Sequence, residues 1–168
     1  MDVAAVLLDI YGRVPHLAEE ALEGLDAGQL VERPAPGANT IAWLIWHLAR
    51  VQDQQVADLL GTEQQWETGD WADRFGLTAD PSDNGYGHTP EQVGAVRPDG
   101  PAALLDYLGA VHDQTRQYLS GLTAEDLDRV IDEAWDPPVT LGVRLVSVAD
   151  DCLQHAGQAA YIRGLVSR

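Results

Sequence analysis

The chain has 168 residues, 45% apolar and 22% charged, with 27 acidic against 10 basic side chains and a formal charge of −17. That size and apolar content suit one globular domain, residues 1–168, whose core needs neither disulfides nor a structural metal. The acidic balance argues against nucleic acid as a partner, which needs a basic face to displace counterions, and against docking on anionic membranes.

The single cysteine, Cys152, permits no intrachain disulfide and fits a reducing cytoplasm, the expected location. The opening stretch MDVAAVLLDIYGR has no basic residue ahead of its apolar run, so no secretory signal is expected. No uninterrupted apolar run of about 18 residues is present to span a membrane.

Val3, Val6, Leu7, Ile10, Val14, Leu17, Ala21 and Leu25 recur at spacings of three and four, which predicts a first amphipathic helix over about Asp2–Leu25. Pro15 lies inside it and is expected to kink it. A connection rich in Pro and Gly follows, and Asn39 or Thr40 is placed to cap a second helix running to about Leu60. Its core stripe is Ile41, Leu44, Ile45, Leu48, Val51, Gln55 and Leu59, with His47 on the flank, and Gly61 stops it.

Residues 62–100 are the least regular. Trp66–Phe75 has the pattern of a short amphipathic helix, and Thr78–His88 is loop chemistry throughout. Thr89-Pro90-Glu91-Gln92 carries a capping box with proline in the first helical position. A third long helix is predicted over Pro101–Leu119, with His112 on its flank. Trp135-Asp136-Pro137-Pro138 bars a helix in the next connection, and Thr140 caps a fourth helix reaching about Val166. No alternating strand pattern is visible. The expectation is an all-α four-helix bundle with crossover connections.

The chemistry-bearing stretch is VADDCLQHAGQAAYI in the fourth helix. Asp151 and His155 are four residues apart and so share a helix face. Arg144, Val148, Asp151, His155, Gln158 and Ile162 form one strip beside the apolar stripe. Asp150 and Asp151 sit mid-helix and gain little from the helix dipole, so one of them needs a partner such as a cation or Arg144. His47 flanks the second helix in a similar way, and facing helices are where bundles build their sites. By spacing alone the set admits three readings: a His–Asp–His metal site with open positions, an acid–base pair of Asp151 and His155, or an ordinary Asp–His hydrogen bond with His47 satisfied near the core. Cys152 falls on the core stripe and reads as a small apolar residue. Most of the five tryptophans read as core, though a cleft of Trp and Tyr would suit a flat or amphipathic small molecule.

The stretches APGANTIAWLIWHLARVQD and TLGVRLVSVADDCLQHAGQAAYIRGL resemble the DinB/YfiT-like superfamily of metal-dependent thiol transferases. The resemblance is strongest to actinobacterial-type members described as mycothiol transferases. It extends over nearly the whole chain, including GYGHT at Gly85–Thr89 and WDPPVTLG at Trp135–Gly142. That superfamily usually has one ligand histidine on the second helix and an H-x-x-x-H pair on the fourth, followed by Gly-Gln. His47 matches the first and His155, followed by Ala156-Gly157-Gln158, the last. Asp151 stands where the middle histidine is usual, which makes the site harder and more negative.

The resemblance implies a divalent metal (zinc, nickel or manganese) held by His47, Asp151 and His155, with Gln158 orienting a ligand. It implies a low-molecular-weight thiol such as mycothiol as co-substrate and an electrophilic small molecule as its acceptor. Arg144, Arg50, Tyr86 and His88 are candidates for holding them, and a homodimer is compatible with the fold. A non-catalytic binding or stress-response protein with a vestigial site, and a hydrolase or isomerase using metal-bound water, remain open beside that reading.

Overall fold

The structure is a computed structural model and describes residues 2–166. Helix α1, Val3–Leu22, starts where the Asp2 carboxylate accepts the Ala5 amide at 2.8 Å, and it runs unbroken across Pro15. It ends three residues short of the predicted Leu25, although Leu25 is still buried. A single turn, α2 at Ala27–Leu30, follows inside the connection. Helix α3, Ile41–Leu60, is capped by the Thr40 hydroxyl on the Trp43 amide and closed by Gly61 in the left-handed region.

The expected helix at Trp66–Phe75 is two separate turns, α4 at Gln65–Thr68 and α5 at Trp71–Arg74. Gly69 between them is fully extended, and the Trp71 indole lies where a Cβ on it would go. Helix α6, Pro90–Ala95, carries the capping box of Thr89 and Gln92. Helix α7, Pro101–Leu119, and helix α8, Leu141–Val166, complete the bundle.

α3 packs on α7 and α8, and α1 packs on the same two. α1 and α3 are therefore diagonal, as are α7 and α8, so the connections 23–40 and 120–140 each cross the bundle. The all-α bundle with crossover connections is as expected, and the second crossover adds a short ladder to it. That crossover holds a 3₁₀ turn, Glu125–Asp128, and a small antiparallel ladder of β1, Val130–Asp132, with β2, Val139–Thr140. Strands of three and two residues are too short to show a period-two pattern. The ladder delivers the chain into α8, where the Thr140 hydroxyl accepts the Val143 amide.

The core runs along all four long helices. The Tyr11 hydroxyl donates to the Leu145 carbonyl inside it, tying α1 to α8. Cys152 is buried there against the Leu48 carbonyl, and burial pushes its thiol up, out of nucleophilic range. α3 is the most enclosed element: every residue from Thr40 to Arg50 is buried. Its outer side is covered by the segment 62–89, through an aromatic cluster of Trp46, Trp66, Phe75 and Tyr107. No helix among the described residues is long and apolar enough to cross a membrane.

Candidate metal centre

The site lies in the groove between α3 and α8. His47 faces Asp151 and His155 across it, and one ligand atom from each of the three lies within 4.8 Å of the others. His47 is 5% exposed; the other two are partly buried. Trp43, one turn before His47, stacks on its imidazole with centroids 4.6 Å apart and meets the His155 ring edge-on.

Hydrogen bonds fix how the two imidazoles point. His47 Nδ1 donates to the Asn84 backbone carbonyl at 2.5 Å, and His155 Nδ1 donates to Gln158 Oε1 at 2.9 Å. A carbonyl oxygen can only accept, so both rings carry their proton on Nδ1 and keep Nε2 free to ligate. His155 Nε2 stands 3.5 Å from Asp151 Oδ1, long for a hydrogen bond and suited to two ligands of one ion. Asp151 Oδ2 is buried and has no hydrogen-bond partner among the described residues. A buried carboxylate oxygen left bare is costly unless a cation meets it. Two imidazole lone pairs and an unmatched carboxylate oxygen thus fit a divalent metal ion.

The electrostatics divide the two histidines. Burial lowers the pKa of His47, against the raising influence of the Asn84 carbonyl and Asp151. Asp151 raises that of His155, more than burial lowers it.

Asn84 reaches His47 because a loop is clamped onto α3. Arg50 is fully buried; its Nε donates to the Asp83 carbonyl, one terminal nitrogen to Pro81 O, and the other to Gln64 Oε1, Tyr107 and Asp53. It also lies 5.0 Å from the centre of the Trp66 ring. Gln54 Oε1 takes the Asn84 side-chain amide. Trp43 Nε1 donates to His88 Nδ1, so His88 Nε2 donates to Asp83 at 2.8 Å while its ring stacks on Trp46.

At the centre of this loop is Gly85, with φ at +92°. A Cβ there would stand 2.8 Å from the Trp46 ring and 2.9 Å from His47 Nδ1. Only glycine permits both that backbone and that approach.

Of the four residues expected to hold substrate, the structure therefore spends two elsewhere. The hydrogen bonds of Arg50 and His88 go to the loop and to its neighbours Trp43, Asp53 and Tyr107. Arg144 and Tyr86 both line a cavity of about 550 Å³ that reaches Asp151, together with Trp135 and Gln55. Arg144, offered beside a cation as a partner for one of Asp150 and Asp151, has its hydrogen bond and its ion pair elsewhere. Its guanidinium bonds Gln55 Oε1 and lies 3.6 Å from Asp132 on β1. Tyr86 is 92% exposed at the cavity rim. Sequence reasoning missed Asn84, whose contribution is a backbone carbonyl, and Gly85, for which the GYGHT motif was the available signal.

No curated protein matches the chain. A crystal structure described as the conserved protein of a locus from Enterococcus faecalis is similar, at 36% identity and a TM-score of 0.90 over 99% of this chain and 98% of that one. The family model of the DinB superfamily matches residues 10–159. The chain belongs to the DinB superfamily.

Proposed function

With that membership as premise, we propose that the protein is a metal-dependent transferase that joins a low-molecular-weight thiol, mycothiol or one like it, to an electrophilic carbon of a small molecule. The observation that carries this reading is the donor set: two imidazoles and a carboxylate offer ligand atoms within 4.8 Å of one another, with one carboxylate oxygen left bare, beside a small-molecule cavity. A divalent ion such as zinc, nickel or manganese, bound there, makes a coordinated thiol a thiolate at neutral pH.

The chain's own residues supply the rest. His47, Asp151 and His155 would hold the ion, whose chemistry would be to lower the pKa of a coordinated thiol. Gln158 and the Asn84 carbonyl keep both rings in the ligating tautomer. Arg144 and Tyr86 hold the polar body of the thiol in the cavity beside Asp151. Trp43, stacked on His47, shields that side of the site from water. In the reaction a sulfur–carbon bond forms as the bond from carbon to its leaving group breaks. The leaving group departs with the bonding pair, and the thiol proton passes to solvent.

The test is conjugation by the purified protein, loaded in turn with zinc, nickel and manganese and given mycothiol and a panel of alkyl and aryl halides. Mass spectrometry is expected to show a thioether that His47→Ala and His155→Ala fail to make. No thioether with any metal, or equal turnover by the variants, would overturn the proposal. Hydrolysed halide in place of thioether would assign the site to water as nucleophile.

A further inference from the structure

The groove between α3 and α8 continues past the candidate metal ligands on the side away from Arg144. The two helices run antiparallel there. Gln55 meets Arg144, the Leu48 carbonyl meets Cys152, and Leu44 shares a cavity with Ile162. His47 and the Asp151–His155 pair lie between these ends, so the groove reads in order as polar cavity, ligand cluster, second cavity.

The second cavity holds about 530 Å³, the volume of a small-molecule site. Pro34, Leu44, Gly157, Tyr161 and Ile162 line it, with the uncharged amides of Asn39, Gln154 and Gln158 among them, Gln158 nearest His155. Among the described residues no acidic or basic side chain lines it, although the chain carries 27 acids and 10 bases. Gln158 belongs to both places, since its Oε1 accepts from His155 Nδ1. Leu44 precedes His47 by three residues, and Gln158 follows His155 by three. The cavity thus begins about one helical turn, roughly 5 Å, from the ligand cluster.

A charged ligand finds no partner in such a cavity and would lose hydration on entering it. An uncharged apolar group gains by burial. We propose that this cavity seats the apolar part of the electrophile, an uncharged aryl or medium-chain alkyl group, with its reactive carbon directed at the ligand cluster. The assignment rests on the thiol-transfer reading for the name electrophile; the class of ligand rests on the cavity alone. It divides the groove by chemistry, with the thiol on the Arg144 side and the apolar acceptor on the Leu44 side. The transfer itself forms the sulfur–carbon bond as the carbon–halogen bond of an alkyl halide breaks and halide leaves with its pair.

Gly157 supplies a clean perturbation. It is an exposed helical position where a Cβ would meet nothing within 4 Å, and it lines the cavity. Gly157→Leu therefore fills the cavity while favouring the helix. Tyr161→Asp, at a side chain 72% exposed, instead places a charge on the rim without disturbing the core.

The probes are unreactive straight-chain alcohols from butanol to octanol, titrated into the zinc-incubated full chain by calorimetry. Affinity is expected to rise about fourfold per added methylene in the parent. Gly157→Leu and Tyr161→Asp are each expected to weaken octanol at least tenfold, with the circular dichroism spectrum and zinc content unchanged. In the conjugation assay, KM for hexyl or benzyl halide should rise in Gly157→Leu while KM for methyl halide stays. Octanol binding no tighter than butanol, or binding to both variants as to the parent, would overturn the assignment. If alcohols bind as expected but no thioether forms with any halide, the cavity keeps its apolar ligand and the thiol-transfer reading falls.

Discussion

Replacing Gly85 by alanine tests whether the loop clamped over α3 sets the geometry of the ligand cluster. Two costs are predicted. Gly85 has φ at +92°, and holding an L-residue in positive-φ backbone costs about 1–2 kcal/mol. The added Cβ also falls 2.9 Å from His47 Nδ1 and 2.8 Å from the Trp46 ring, where carbon contacts prefer about 3.5–4.0 Å. The loop must withdraw by up to about an ångström, which stretches the 2.5 Å bond from His47 to the Asn84 carbonyl beyond useful length. Losing that bond costs about 1 kcal/mol more.

Gly87 is the control, because its φ is +75° but a Cβ there meets nothing within 4 Å. Gly87→Ala carries only the backbone cost, about 2–8 °C in Tm for a domain of this size; Gly85→Ala should lose about 4–12 °C. Zinc affinity separates them further. With its orienting carbonyl gone, Gly85→Ala should bind zinc about 10–100-fold more weakly, and Gly87→Ala should bind as the parent does. Calorimetric unfolding and competition with a chromophoric chelator read the two effects. If Gly85→Ala keeps the parent's zinc affinity, or Gly87→Ala loses as much, the loop does not orient His47.

Arg50→Met removes a fully buried guanidinium and leaves the Asp53 carboxylate without its cation, so thermal unfolding should show a loss of about 3–5 kcal/mol. A loss under about 1 kcal/mol would mean that the loop and the turn at Gln65 are held without it. For metal binding the sign with pH follows from the histidines. His155 is raised above 6.5, so at and somewhat above that pH it carries a proton that a metal must displace. His47 is lowered below 6.5 and is already neutral there. Apparent zinc affinity should therefore rise with pH through the His155 pKa and level off above it, with up to one proton released per ion on the rising limb and none from His155 on the plateau. Without metal the same shift makes charged His155 stabilising below pH 6.5, a contribution lost as pH rises through its folded value. Titration in buffers of different ionisation enthalpy would count the protons; two released at pH 7 would contradict the assignment for His47.

The four long helices were legible because each carries a sustained 3.6-residue apolar stripe, and the cap residues Thr40, Thr89 and Thr140 marked three starts. His47, Asp151 and His155 were legible as a set through helical spacing and family resemblance. Arg50 and His88 stood out because a cation and an imidazole near a candidate site look chemical in sequence; their hydrogen bonds to Asp83, Pro81 and Trp43 are tertiary and leave no sequence signal. The Asn84 carbonyl could not be found this way, since any residue offers a backbone carbonyl. Gly85 was visible within GYGHT, but its reason, the approach of the loop to His47, is a tertiary fact. The split of Trp66–Phe75 at Gly69 and the short ladder β1–β2 are set by packing against α7 and α8 and leave little periodic trace.

Zinc titration against a chromophoric competitor at pH 8, on the parent and on His47→Ala, Asp151→Ala and His155→Ala, addresses the ligand set most directly. The predicted result is one ion per parent chain, with each substitution weakening binding by at least tenfold and the circular dichroism spectrum preserved. Binding by Asp151→Ala equal to the parent's would remove the carboxylate from the site. No binding of zinc, nickel or manganese by the parent would contradict the metal centre altogether.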